Sequence, residues 1–308
     1  MGIEKQDKIL TRNRLIIFDL LRVVAICLIL GSHLSTIGSI NYNGIIFGLA
    51  FGTWIGNVFY ASLGNMGVIL FIFVSGAVLE LNKKPMNSVI DYGKYMFWRL
   101  VRLYPAYWLS LLFAIMLLLY ANGHTFGNLI WQFSGFSAFV GQWGGFLNPV
   151  GWYIGLLVSL YLLFPFLSTA MERKPWLILI TVLIIQVVMT SWINSTVVNL
   201  PLPNMILVAR WFPLCNLFYF GIGIFIVKTG YYLQWEDTTG VLSWLGKLTF
   251  YVFLFHIPIF PIAVNSGIPI YAAMLVAISI IAMIVDEKIQ SGLRSLNLST
   301  LISHISTN

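Results

Sequence analysis

The sequence predicts an all-α protein, a polytopic transmembrane helical bundle of about 8 spans plus two re-entrant or interfacial segments, with both termini cytoplasmic. Three observations carry this expectation. The 308 residues are 59% hydrophobic and only 9% charged, with a mean hydropathy of +0.90. Soluble domains carry about 25% charged residues, so this chain has too little polar surface to face water. The apolar residues fall into stretches long enough to cross about 30 Å of hydrocarbon as helices. The basic residues sit in alternate loops rather than being scattered through the chain.

In order, the predicted spans are 15–38, 64–82, 100–121, 150–170, 176–193, 205–228, 247–265 and 269–285. One set of loops carries Lys5, Lys8, Arg12, Arg14, Lys83, Lys84, Lys94, Arg99, Arg102, Arg173, Lys174, Lys228, Lys247, Lys288 and Arg294. The opposite loops, 39–63, 122–149, 194–204 and 265–268, contain no Lys, Arg, Asp or Glu. The positive-inside rule then puts the basic loops and both termini in the cytoplasm. The segments 44–60 and 127–141 are weaker, rich in Gly and aromatics. Were 44–60 to cross alone, the basic loop at 83–99 would be moved outside. Both are therefore expected to be re-entrant or interfacial, backbone that lipid tolerates only against protein or a wet cavity. Trp54, Trp131 and Trp143 fit either an interfacial aromatic belt or the lining of an acceptor cleft.

Residues 1–290 read as one transmembrane domain and 291–308 as a cytoplasmic tail, with no internal repeat and a polar loop at 229–246. The first apolar run is too long for a signal peptide and lacks a small-residue cleavage site. The expected location is the plasma membrane, as a multi-pass protein. The net charge of +7 is confined to short loops, so it reads as topology; membrane lipid is an expected partner and nucleic acid is not. Cys27 and Cys215 lie in apolar segments and read as small core residues, with neither disulfide nor metal site expected.

Polar groups at membrane depth cost several kcal/mol unless paired or hydrated, so they mark candidate functional residues. Asp19, Arg22, His33, Glu80, Arg102, Arg210 and His256 fall in or at the edges of spans. Arg22 and His33 are eleven positions apart, which on a helix returns to almost the same face with a rise of roughly 16 Å. One stripe of the opening helix thus carries a cation toward one end and a titratable base toward the other. Asp19 and Arg22, three apart, suit a salt bridge that either makes the helix insertable or leaves Arg22 donors for a ligand. A buried neutral imidazole at His33 is able to accept a proton. Arg99 and Arg102 share a helical face and either anchor to lipid headgroups or grip phosphates as two forks. His256 is followed by Pro258 and Pro261, which free backbone carbonyls; it either satisfies one or takes part in the site. Arg210, placed toward the outer side, is read as pairing, acceptor-binding or structural. Glu80 ends a span near the cytoplasm and is expected to be solvated. No dinucleotide fingerprint, P-loop, zinc helix motif or nucleophile elbow is present.

Five segments, in order along the chain, resemble the acyltransferase-3 family of integral-membrane acyltransferases. They are Phe18-Asp19-Leu20-Leu21-Arg22 through His33; Phe71-Ile72-Phe73-Val74-Ser75-Gly76; and Arg99 to Arg102 followed by Leu103-Tyr104-Pro105. Gly151-Trp152-Tyr153-Ile154 with Tyr161-Leu162-Leu163-Phe164-Pro165 and Thr249-Phe250-Tyr251 through His256 complete the set. Leu157 and Val158 stand where many members carry acidic residues, as in the branch of exopolysaccharide-modifying proteins and O-acetyltransferases. The resemblance implies an acyltransferase with no bound cofactor, using acyl-CoA, with acetyl-CoA expected, as co-substrate. It implies a carbohydrate or lipid-linked acceptor and separate glycan-assembly proteins as partners. His33 and Arg22 become the catalytic candidates and Arg99 and Arg102 the donor-binding ones. His256, Arg210, Asp19 and Trp152 are candidates for acceptor binding or structure. A transporter or flippase of a polysaccharide or lipid precursor is the alternative, weakened by the lack of an inverted repeat.

Overall fold

The computed structural model describes residues 16–34, 53–120, 129–140, 147–197, 212–231 and 240–295. These residues form helices and no strands. The elements are α1 (Ile16–Leu34), α2 (Thr53–Leu81), α3 (Val89–Tyr120), α4 (Leu129–Ser134) and α5 (Gly151–Arg173). They continue with α6 (Pro175–Val197), α7 (Leu217–Thr229), α8 (Val241–Ser266) and α9 (Ile268–Ser295). Seven of these are long and apolar enough to cross a membrane. The span expected at 205–228 is represented by a 3-10 turn, Pro213–Asn216, leading into α7, which has 13 residues. That leaves a shorter apolar helix where a full span was expected, with 205–211 outside the described residues.

Three further expectations are corrected. Residues 53–60, half of the weak segment 44–60, are not a separate re-entrant piece but the start of the same helix as 64–81. Helix α9 runs through Ser295, beyond the span read as ending at 285. Cys27 is exposed on the outward face of α1, whereas Cys215 is buried. The segment 127–141 does form short pieces, α4 and the 3-10 turn Ser137–Val140. A six-residue helix leaves its last carbonyls without partners inside the helix. Here α3 supplies them: Tyr107 Oη donates to Gln132 O at 2.6 Å, Trp108 Nε1 to Phe133 O at 2.9 Å and Tyr104 Oη to Ser134 O at 2.6 Å. The backbone of this segment is thus satisfied against protein, as lipid requires. Trp131 remains exposed on it.

The centre of the bundle is α8 and α5, the most enclosed of the candidate spans; α6 is peripheral. Lipid tails are as apolar as leucine, so membrane helices associate through close packing of small residues. The α2–α7 pair shows why Ser75-Gly76 is small. A Cβ on Gly76 would meet the Phe220 carbonyl, and one on Gly223 would meet the backbone of Phe73 and Ala77. Prolines inside the spans free carbonyls that neighbouring helices then satisfy. Pro165 cannot donate to Tyr161 O, which instead accepts from Tyr95 Oη at 3.2 Å. Pro258 likewise frees Leu254 O, which accepts from Asn148 Nδ2 at 2.9 Å.

The Lys-bearing ends of α2, α5 and α7 lie at one end of the bundle. Lys228 pairs with Glu80 at 2.8 Å and Glu172 at 3.3 Å, and Lys83 pairs with Glu172 at 2.5 Å. Ser168 Oγ completes the shell of Glu80 at 2.6 Å. Glu80 is therefore not solvated: its side chain is 8% exposed and it holds three helices together. The reason is tertiary, because Lys228 and Ser168 arrive from other helices.

Candidate active site

Helix α1 presents two polar groups to α8, one toward each end. Near the basic end, Asp19 lies against Gly246, where a Cβ would crowd its carboxylate at 2.6 Å. Glycine at 246 is what lets the two helices close around a carboxylate. Asp19 and Arg22 form a salt bridge across one turn, with side chains 9% and 20% exposed. Ser243 is a further hydrogen-bond partner of Asp19, and Arg102 of α3 lies within electrostatic reach of both Asp19 and Arg22. Two guanidinium groups thus lie within electrostatic reach of the Asp19 carboxylate.

Arg102 is exposed. Asp286 of α9, a fully buried carboxylate, also lies within electrostatic reach of Arg102. Asp286 Oδ2 accepts from Tyr251 Oη at 2.6 Å and from Gln290 Nε2 at 2.7 Å. Asp286 was not among the sequence candidates, because it falls one residue past the span read as ending at 285. Arg99, three residues from Arg102, behaves differently: its guanidinium lies 5.4 Å from the centroid of the Tyr95 ring. The two arginines share a helix face as expected, but only Arg102 joins the Asp19–Arg22 pair.

Toward the other end, His33 meets His256 of α8 with ring centroids 5.1 Å apart and planes inclined by 49°. Phe260 closes one side of His33 at 6.5 Å. Residue 19 beside 246 and residue 33 beside 256 mean that α1 and α8 run side by side in the same direction. His256 is fully buried. It does not satisfy a proline-freed carbonyl, since Asn148 takes Leu254 O; its Nδ1 instead lies 2.6 Å from Phe253 O. Tyr271 Oη donates to the backbone oxygen of His256 at 3.1 Å and holds α9 against this point.

Between the two groups the interior carries a line of phenols. Tyr153 packs on Phe253 at 4.9 Å and has Ser75 Oγ as a hydrogen-bond partner, and Tyr161 lies within electrostatic reach of Arg22. Trp152 is half-buried and edge-on to Tyr153 at 5.8 Å, one position removed from this line. Tyr153 and Tyr161 were quoted as motif residues only; their place on the enclosed face of α5 gives them this position. Arg210 lies outside the described residues. Among the described residues no cluster of His, Cys, Asp and Glu is arranged to hold a metal ion.

The arrangement separates two chemistries. The Arg22 and Arg102 guanidiniums suit the charged end of an anionic ligand. Eleven residues away on α1, roughly 16 Å at 1.5 Å per residue, an imidazole in apolar surroundings suits proton transfer.

A family model described as an acyltransferase domain matches residues 15–236. No curated relative and no solved structure matches the chain. The matched segment covers α1 through α7 and stops before α8, so His256 enters the site through the fold.

Proposed function

The chain belongs to the acyltransferase-3 family and is a multi-pass membrane acyltransferase; on that premise we propose that it moves an acyl group, acetyl as the expected one, from cytoplasmic acyl-CoA to a hydroxyl of a glycan or lipid-linked acceptor on the other side of a plasma membrane. The observation that carries this reading is the placement of the Asp19–Arg22–Arg102 cluster and the His33–His256 pair at two heights along α1.

Acyl-CoA has a polyanionic end and a distant thioester joined by a long flexible arm. Arg102, exposed at the basic end, grips donor phosphates together with Arg22, while Arg99 contributes from the next turn of α3. The positive-inside rule makes this the cytoplasmic end, where acyl-CoA is found. The arm runs along the Tyr161–Tyr153 line and brings the thioester to His33. There the imidazole takes the acceptor hydroxyl's proton as its oxygen attacks the thioester carbonyl. The C–O bond forms, the C–S bond breaks, and the proton on His33 passes to the departing sulfur. The products are the acylated acceptor and free CoA thiol.

The test is purified protein in vesicles, given acyl-CoA and candidate glycan or polyprenyl acceptors, with thiol release and acceptor mass both recorded. Thiol release that tracks a mass gain of one acyl group, and is lost in His33→Ala, supports the reading. Passage of acceptor across the membrane without thiol release would replace it with transport.

A further inference from the structure

We propose that His256 is a positioning residue for the transfer: its Nε2 accepts an N–H from His33, which fixes the ring nitrogen that His33 turns toward the acceptor hydroxyl. This rests on the assignment of His33 as the base.

The ring of His256 is held in one protonation pattern by its own helix. A carbonyl oxygen can only accept, so the 2.6 Å contact with Phe253 O puts the hydrogen on Nδ1. The Val252 carbonyl lies within reach of the same ring. With Nδ1 against the backbone of α8, Nε2 is on the side of the ring turned away from that helix. Nε2 is buried and has no hydrogen-bond partner. A buried polar atom left unpaired costs free energy, so an unpaired one in an enclosed site marks a place that a donor is meant to fill.

The adjacent polar ring is His33, at 5.1 Å between centroids. The bond is not formed in the structure, and at that spacing a turn of the His33 ring brings an N–H to Nε2 with heavy atoms about 3 Å apart. The other rings against His256 and His33 are Phe253 and Phe260, which have no donor to offer. Among the described residues no carboxylate pairs with either histidine. The nearest acid on α1, Asp19, lies 14 residues back, about 21 Å along the helix.

A neutral imidazole has one donor nitrogen and one acceptor nitrogen, and a base must turn its acceptor to the substrate. Donating to His256 Nε2 leaves the other nitrogen of His33 as that acceptor. When His33 takes up the proton, the same N–H becomes a charge-assisted donor and the bond strengthens as the reaction proceeds. This is the general arrangement of a base oriented by a third group, with a neutral histidine in the orienting place.

His256→Asn keeps an amide hydrogen for the Phe253 carbonyl and removes the atom at Nε2. His256→Gln places an amide oxygen near the Nε2 position. Expected in His256→Asn is a fall in kcat of roughly 10–100-fold with an unchanged KM for acyl-CoA, and largely restored turnover in His256→Gln. In 15N-histidine-labelled protein, His33 shows one tautomer in the native chain and a mixture in His256→Asn. Native-level kcat in His256→Asn, or a His33 spectrum unchanged by it, overturns the proposal. Should the variants not fold, the native protein still decides: a 15N–15N coupling between His33 and His256 is expected, and its absence rejects the bond. Full activity in His33→Ala defeats the base assignment itself; an inactive His33→Ala beside an unchanged spectrum in His256→Asn defeats the positioning role alone.

Discussion

The two ends of the bundle treat polar groups in opposite ways. At the basic end Glu80 is met by Lys228 and Ser168, Glu172 by Lys83 and Lys228, and Asp19 by Arg22, while Asp286 keeps Oδ1 unpaired and Arg102 is exposed. At the level of His33 and His256 there is no ion pair among the described residues, and one imidazole nitrogen is left open in apolar surroundings. The Glu80 and Glu172 charges, met by lysines, hold helices in place and gain little from a ligand. A buried nitrogen left unpaired costs folding free energy and is open to a donor. The difference predicts that substitutions at the two ends fail in different assays.

The largest effect belongs to His33→Ala, which should lower turnover by about 10²–10⁴-fold, the range that general-base catalysis supplies, with thermal stability in detergent nearly unchanged. Single-turnover acyl transfer checks the first part and a melting curve the second. The converse is Glu80→Gln, which leaves Lys228 without its buried partner and should cost about 3 kcal/mol of stability. Replacing both Glu80 and Lys228 with Met should recover most of that loss, because the desolvation cost of the pair goes with it. Equal activity losses in His33→Ala and Glu80→Gln at matched folded fraction would erase the contrast.

Gly223→Val drives a side chain into the backbone of α2 and should cost about 1–3 kcal/mol as overpacking, read as lowered yield of monodisperse protein. A smaller effect separates the two arginines of α3. Arg102→Gln should raise the KM for acyl-CoA about tenfold, near 1.4 kcal/mol, and Arg99→Gln should raise it less, since Arg99 rests on the Tyr95 ring. The reverse order would move the donor site toward α5. Smallest is Tyr95→Phe, which strips the donor from the Tyr161 carbonyl freed by Pro165 and should cost about 1 kcal/mol. A stabilised Tyr95→Phe protein would mean that another group serves that carbonyl.

Much of the site was legible before the fold. The Asp19–Arg22 pair follows from three-residue spacing, and the common stripe of Arg22 and His33 follows from eleven. The clustering of basic ends follows from the one-sided loops. What was misread has a common cause. Glu80 looked solvated because its partners come from α5 and α7. His256 was left between satisfying a proline-freed carbonyl and taking part in the site because Asn148, more than a hundred residues earlier, was not visible beside it. The segment 53–60 looked separate because glycine and aromatics lower its hydropathy without breaking the helix. Asp286 was passed over because hydropathy ends a span at the first carboxylate, whether or not a tyrosine waits to receive it.

By itself the sequence determined the membrane-spanning class, the basic end and the polar stripe of α1, because the period of a helix and the cost of placing charge in hydrocarbon act along one segment at a time. Only the tertiary structure decided that the stripe faces α8, that His33 meets His256, and that Arg102 rather than Arg99 joins the pair on α1. Helical periodicity gives the face and the depth of a side chain. Which neighbour fills that face depends on where the glycines of other helices allow close approach, and no single segment contains that information.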